Sequence, residues 1–140
     1  MKAVQKLFVC AILLASGIAL YAQDSTATIH FYRTGAAKGA MVTYKLFTDT
    51  TLLGVVKPNT VIHYTAKVGT NEFHSKTEVK KTLSVNAKPG EEYYIKCSVA
   101  MGVFVGTPKF ELVSKTEGAE AIAKLEAKKE KQDQKRKKSQ

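Results

Sequence analysis

From Thr26 onward the chain alternates apolar and polar positions with the two-residue period of a half-buried strand. Ala27, Ile29 and Phe31 fall on one face, and Thr28, His30 and Tyr32 on the other. The glycines of Gly35–Gly39 end that run. A second run, Ala40–Phe47, is rich in β-branched and aromatic residues, and Thr48–Thr51 reads as a hairpin loop into Leu52–Val56. Lys57–Thr60 is a turn in which Pro58 presets the backbone. Val61–Lys67 follows, Gly69 marks a reversal, and Asn71–Lys76 and Lys81–Ala87 are the next strands, the latter with Leu83, Val85 and Ala87 facing inward. Lys88-Pro89-Gly90-Glu91 places Pro and Gly where a type II turn wants them, so a hairpin is expected there. Glu92–Val99, Val103–Val105 and Lys109–Val113 complete the series. The pattern predicts an all-β fold, an antiparallel β-sandwich of seven to eight strands, closed by a short C-terminal α-helix.

The two ends of the chain break this pattern in different ways. Leu7–Leu20 is an apolar run of 14 residues, preceded by Lys2 and Lys6 and followed by Ala22 and the polar Gln23-Asp24-Ser25-Thr26. A bilayer span takes about 20 apolar residues, so these proportions are those of a secretory signal peptide over residues 1–22, cleaved near Ala22. Val9 before Cys10 is not the small residue a lipoprotein signal requires, so lipidation at Cys10 is not expected. Residues 23–117 then form the sandwich domain, and 118–140 a basic helical or disordered tail. Past Gly118 the residues are mainly Ala, Glu and Lys, which are strong helix formers. Ala119, Ile122 and Leu125 or Ala123 make a short stripe for docking, whereas beyond Ala127 nothing apolar remains.

Charge sharpens the reading of the tail. The net charge of +10 includes Lys2 and Lys6, which leave with the signal; residues 119–140 carry 8 basic and 4 acidic side chains. Lys128, Lys129, Lys131, Lys135, Arg136, Lys137 and Lys138 are the candidate contacts to an anionic envelope surface, the alternative being a solvated terminus. Nucleic acid is not an expected partner, because export removes the chain from it and the tail has no aromatic residue to stack on bases. The mature chain has no transmembrane segment, and an envelope protein is the other candidate partner.

No residue constellation points to catalysis. The chain has no Gly-x-Ser-x-Gly elbow, no His-Glu-x-x-His and no phosphate loop. Glu91 and Glu92 are adjacent in a strand and so face apart, which rules out a carboxylate dyad. His30, His63 and His74 stand on separate strands without a close pair in sequence, so no metal site and no cofactor are assigned. Once Cys10 is removed, Cys97 is alone, on the same strand face as Tyr93, Ile95 and Val99, and reads as a buried, inert thiol. Tyr93 and Tyr94 occupy opposite faces. One of them is therefore available either as part of a ligand platform or as the cover of a sheet face.

Several segments together resemble a known family. They are Phe31-Tyr32-Arg33, the Gly54 hairpin, the Gly69 turn, Pro89-Gly90-Glu91-Glu92-Tyr93-Tyr94-Ile95, Met101-Gly102-Val103-Phe104-Val105-Gly106, and Phe110-Glu111-Leu112-Val113 before Gly118. Over residues 26 to 125 this series resembles the bacterial domain-of-unknown-function family 2846. The resemblance implies a small exported β-sandwich and supplies no biochemical activity to carry over. Many members of that family look like lipoproteins with a cysteine directly after the signal; here Gln23 stands in that place.

The expectation is thus an exported accessory or binding module, periplasmic or extracellular, without catalytic activity. The alternative is a structural subunit that pairs with another envelope protein through an edge strand. Intact-mass and N-terminal analysis of the exported chain should find Gln23 as its first residue; a retained Met1 would contradict the signal reading.

Overall fold

The alternating run at Thr26 becomes strand β1 (Thr26–Arg33), and seven more strands follow before one helix. They are β2 (Tyr44–Thr48), β3 (Thr51–Val56), β4 (Thr60–Lys67), β5 (Gly69–Lys76), β6 (Lys80–Ala87), β7 (Glu92–Ala100) and β8 (Thr107–Val113), and the helix is α1 (Lys115–Lys138). The computed structural model describes residues 25–35 and 39–139, and the signal-type segment lies outside them. Two four-stranded sheets, ordered β4-β1-β7-β8 and β3-β2-β5-β6, pack face to face as a β-sandwich. Among the described residues no helix is long and apolar enough to cross a membrane.

The inward faces are those the alternation marks. Ala27, Ile29 and Phe31 meet Leu46, Phe73, Val85 and Ala87 in one core, with Ile95 and Cys97 from β7. Phe31 and Phe73 pack edge to face at 4.9 Å, and the Tyr44 hydroxyl ties the sheets by donating to the Ser98 carbonyl at 3.1 Å. Each large apolar side chain so buried is worth about 1.5–3 kcal/mol.

The opposite face of β1 and β7 is buried as well. Tyr32 and Tyr94 lie beneath Ile122 and Leu125 of α1, with Val61 and Val113 alongside. The first sheet is therefore the middle of three layers, and its two central strands carry inward residues on both faces.

Local chemistry explains where α1 begins. Ser114 is its N-cap, its hydroxyl accepting from the Glu117 N–H at 3.2 Å, in the Ser-x-x-Glu spacing that marks a helix start. The helix thus begins three residues before Gly118, and it runs on to Lys138 rather than stopping short. Gly118 is inside it because of what lies below. A Cβ there would sit 2.3 Å from the Tyr94 Cβ and 2.4 Å from its Cγ.

Three further expectations are corrected. The Pro89-Gly90 turn forms, with Gly90 at φ 71 and the Glu91 N–H donating to Lys88, but it makes no hairpin. It carries the chain from one sheet to the other, and β7 pairs in parallel with β1, the exception to the otherwise antiparallel pairing. Val103–Val105 is a loop, because its N–H groups go to the Glu78 carboxylate instead of a strand. The segment from Ala40 to Val42 is a turn, gripped by buried Arg33, which donates to the Gly39 and Val42 carbonyls at 2.6 Å each.

Replacing Gly118 by Ala should destabilise the protein by about 1–3 kcal/mol through overpacking on Tyr94, although Ala favours an exposed helix by about 1 kcal/mol over Gly. Urea unfolding measures the difference; a stabilised variant would mean that α1 does not rest on Tyr94.

Candidate functional site

The sequence-marked basic residues come together on α1. With 3.6 residues per turn, the spacing of Lys124, Lys128, Lys131, Lys135 and Lys138 places all five on one side of the helix. Glu126, Glu130 and Asp133 fall on the other, while Glu117 and Glu120 of the first turns share the lysine side. The segregation is lateral to the buried stripe of Gly118, Ile122 and Leu125, so it is presented to solvent. Lys129 and Arg136 turn toward the β3–β4 connection and share a groove of about 670 Å³ with Lys57, His63 and Asp133. Lys137 stands apart from both groups. The last-turn cations Lys135, Arg136, Lys137 and Lys138 also complement the negative end of the helix dipole, which helps a polar segment stay helical.

A second groove fixes the direction of the lysine side. Lys124 and Lys128 line a hollow of about 420 Å³ together with Thr34, Gly35 and Asn59. These three residues lie at the end of the sandwich where β1 finishes and β4 begins. The lysine side of α1 therefore faces that end.

Beneath the helix the sheet brings together groups that sequence spacing leaves apart. Antiparallel pairing of β1 and β4 puts His30 opposite His63, and their Nδ1 atoms lie 2.6 Å apart. One Nδ1 must be unprotonated to accept that hydrogen bond, so the two rings cannot both be imidazolium while it stands. His30 also leans on the ring of Tyr94, 4.8 Å away, and its Nε2 is 3.8 Å from the Glu92 carboxylate. Glu92 in turn holds Lys115 at 2.6 Å, joining β7 to the first turn of α1. Burial, and then the charge of His63, hold the His30 pKa below its ordinary value, with Glu92 and Glu126 opposing. The hydrogen-bonded Lys115 ammonium lowers that of Glu92.

The other candidate residues are placed apart from this cluster. His74 stacks on Phe47 at 5.4 Å on the second sheet. Among the described residues no group of three or more His, Cys, Asp or Glu side chains is arranged to hold a metal ion. Cys97 is buried, and desolvation pushes its thiol up to about 12, which removes the thiolate that reactivity needs. Tyr93 packs against the sandwich core and Tyr94 under α1, so both tyrosines cover sheet faces. The Ser114–Glu117 spacing was a legible signal for the start of the helix. The His30–His63 pair had none, because it depends on strand register.

The comparisons with known proteins leave function open. No protein-family model matches the chain, and no solved structure matches it. The chain is similar to an uncharacterized protein of Haemophilus influenzae (strain ATCC 51907 / DSM 11121 / KW20 / Rd), 32% identical over 81 residues. The match takes in 57% of this chain and 48% of that protein, so the chain spans about half the length of the curated relative it matches.

The histidine cluster has a consequence for pH. Because the folded protein holds His30 below the unfolded value of about 6.5, the unfolded chain binds more protons as pH falls through that value. Stability is therefore greatest above about 6.5 and declines toward the folded pKa. Denaturation midpoints at pH 7.5 and 5.5 should differ in this direction, and less so in His30→Asn; an equal decline in that variant would assign the effect elsewhere.

Proposed function

We propose that this protein is an exported, non-catalytic accessory module of the cell envelope that docks onto an anionic surface through α1. The observation that carries this reading is the five-lysine side of a helix seated firmly on the sandwich. An unattached basic tail would dilute its charge over many conformations, whereas a docked helix presents it in one direction. About half of the helix, which is about 36 Å long at 1.5 Å per residue, follows Leu125, its last buried residue. That half has no buried residue, and its lysine side is left to solvent.

Export is supported by the signal-type segment over residues 1–22 and by the resemblance to family 2846 over residues 26 to 125. The non-catalytic reading rests on the sequence, which carries no Gly-x-Ser-x-Gly elbow, no His-Glu-x-x-His and no phosphate loop. The edge-strand reading is the weaker one. Of the four edge strands, β4, β6 and β8 carry Lys67, Lys80, Lys81 and Lys109, with Pro108 also in β8, whereas β3 has neither charge nor proline and meets β2 with a register shift at Leu46/Phe47. The lysines and the proline discourage strand addition.

Each lysine near an anionic bilayer contributes about 1 kcal/mol. Replacing Lys124, Lys128, Lys131, Lys135 and Lys138 together by Gln should weaken binding to phosphatidylglycerol vesicles or to a polyanion column more than tenfold. High salt should weaken the parent chain likewise. Binding equal to the parent at low salt would refute the role of the helix.

A further inference from the structure

The most exposed of the large apolar side chains among the described residues gather at one end of the molecule. Met41 is 95% exposed, Met101 92%, Val103 83% and Phe104 92%, values that leave these side chains almost wholly in water. Met41 lies in the turn after Gly39, and the others in the loop between β7 and β8. The two segments meet around a hollow of about 260 Å³ lined by Gly39, Val42, Val99 and Phe104. Val79, at the tip of the β5–β6 hairpin, is exposed beside them.

This apolar end is held in place by polar contacts from behind. Arg33, itself buried, grips the Met41 turn through two carbonyls. The Thr77 hydroxyl donates to the Gly106 carbonyl at 2.8 Å. The Glu78 carboxylate accepts the N–H groups of Val103, Phe104 and Val105, and these bonds hold its pKa below the usual carboxylate range. The N–H groups of Val103, Phe104 and Val105 are thereby satisfied within the protein and are not stranded when the loop leaves water.

Lysines flank this end, alongside the Glu78 carboxylate that the loop N–H groups engage. Lys76 and Lys80 face each other across the base of the β5–β6 hairpin, next to Val79. The lysine side of α1 is turned to the same end, through the hollow it shares with Thr34, Gly35 and Asn59. Apolar side chains at a tip with lysines around them match the layering of a bilayer surface, where acyl chains lie beneath anionic headgroups.

We infer that this end of the sandwich inserts Met41, Met101, Val103 and Phe104 into the interface of a lipid bilayer with anionic headgroups, while the lysines of α1 and of the β5–β6 hairpin bind the headgroups. This rests on the anionic-surface reading above and identifies the surface as lipid. Insertion reaches the headgroup and acyl boundary, about 5–10 Å deep, and spans nothing.

The chain contains no tryptophan, so Phe104→Trp places a single reporter at an exposed site that packing does not constrain. With vesicles of phosphatidylglycerol and phosphatidylcholine, its emission should shift to the blue and be quenched by lipids brominated along the acyl chain. Phe104→Asp should lower vesicle affinity about tenfold, as expected from losing burial of one large apolar side chain, with its urea midpoint unchanged. Unshifted emission from protein that still sediments with vesicles would overturn insertion and leave docking by α1 standing. Binding to a polyanion but not to vesicles would do the same. A concentration-dependent shift without lipid would make a second copy of the chain the occupant and also overturn the assignment. Failure to bind vesicles and polyanion alike would remove both readings.

Discussion

Gly118 rests on Tyr94 with no space for a side chain between them, and the third layer of the molecule depends on that contact. β1 and β7 have apolar or aromatic residues on both faces, so a two-sheet sandwich would leave Tyr32 and Tyr94 in water. The helix covers them with Ile122 and Leu125, and it comes close enough to do so only where one of its residues lacks a Cβ. The cost of glycine in a helix, about 1 kcal/mol against alanine, is offset by burial of two large aromatic rings. Once that seat is made, the Ser114 cap and the Glu92–Lys115 pair set where the helix starts, and its direction across the sheet follows.

That direction decides what the lysines can do. The buried stripe must face Tyr94 and Tyr32, and the lysine side is then turned toward the end of the sandwich bearing Thr34, Gly35 and Asn59. The same end carries the Met41 turn and the Met101–Val105 loop. Charge on the helix and apolar surface on the loops thus meet at one end, the first placed by the Gly118–Tyr94 seat and the second by Arg33, Thr77 and Glu78. The His30–His63 pair lies under the helix with Glu92, Lys115, Tyr94 and Glu126 around it. Its protonation therefore bears on how firmly the helix is seated.

Most of the sandwich was legible in the two-residue alternation. Ala27, Ile29 and Phe31, and Leu83, Val85 and Ala87, face the core as their spacing requires, because inversion of a strand would bury its polar set. What local pattern lacks is pairing. Pro89-Gly90 specifies a turn but not whether the strands it joins share a sheet, and His30 meets His63 only through the β1–β4 register. Val103-Phe104-Val105 has strand composition, yet Glu78, a residue distant in sequence, takes its N–H groups and leaves its side chains outward. The helix start was written in Ser114 and Glu117, but Gly118 resembles a boundary until Tyr94 is seen beneath it. The basic residues were legible as a set; their division into a lysine side and a mixed groove needed the helix to be continuous.

Surface attachment through one defined end has a direct signature in nuclear magnetic resonance. With the isotope-labelled chain on anionic nanodiscs containing lipids that carry a nitroxide in the acyl chain, resonances that broaden mark residues at the bilayer. Insertion of the apolar end predicts broadening confined to Met41, Val79, Met101–Val105 and the lysine side of α1, with the opposite end at Lys88–Glu91 untouched. Broadening centred on Lys88–Glu91, or spread evenly over both sheets, would contradict it.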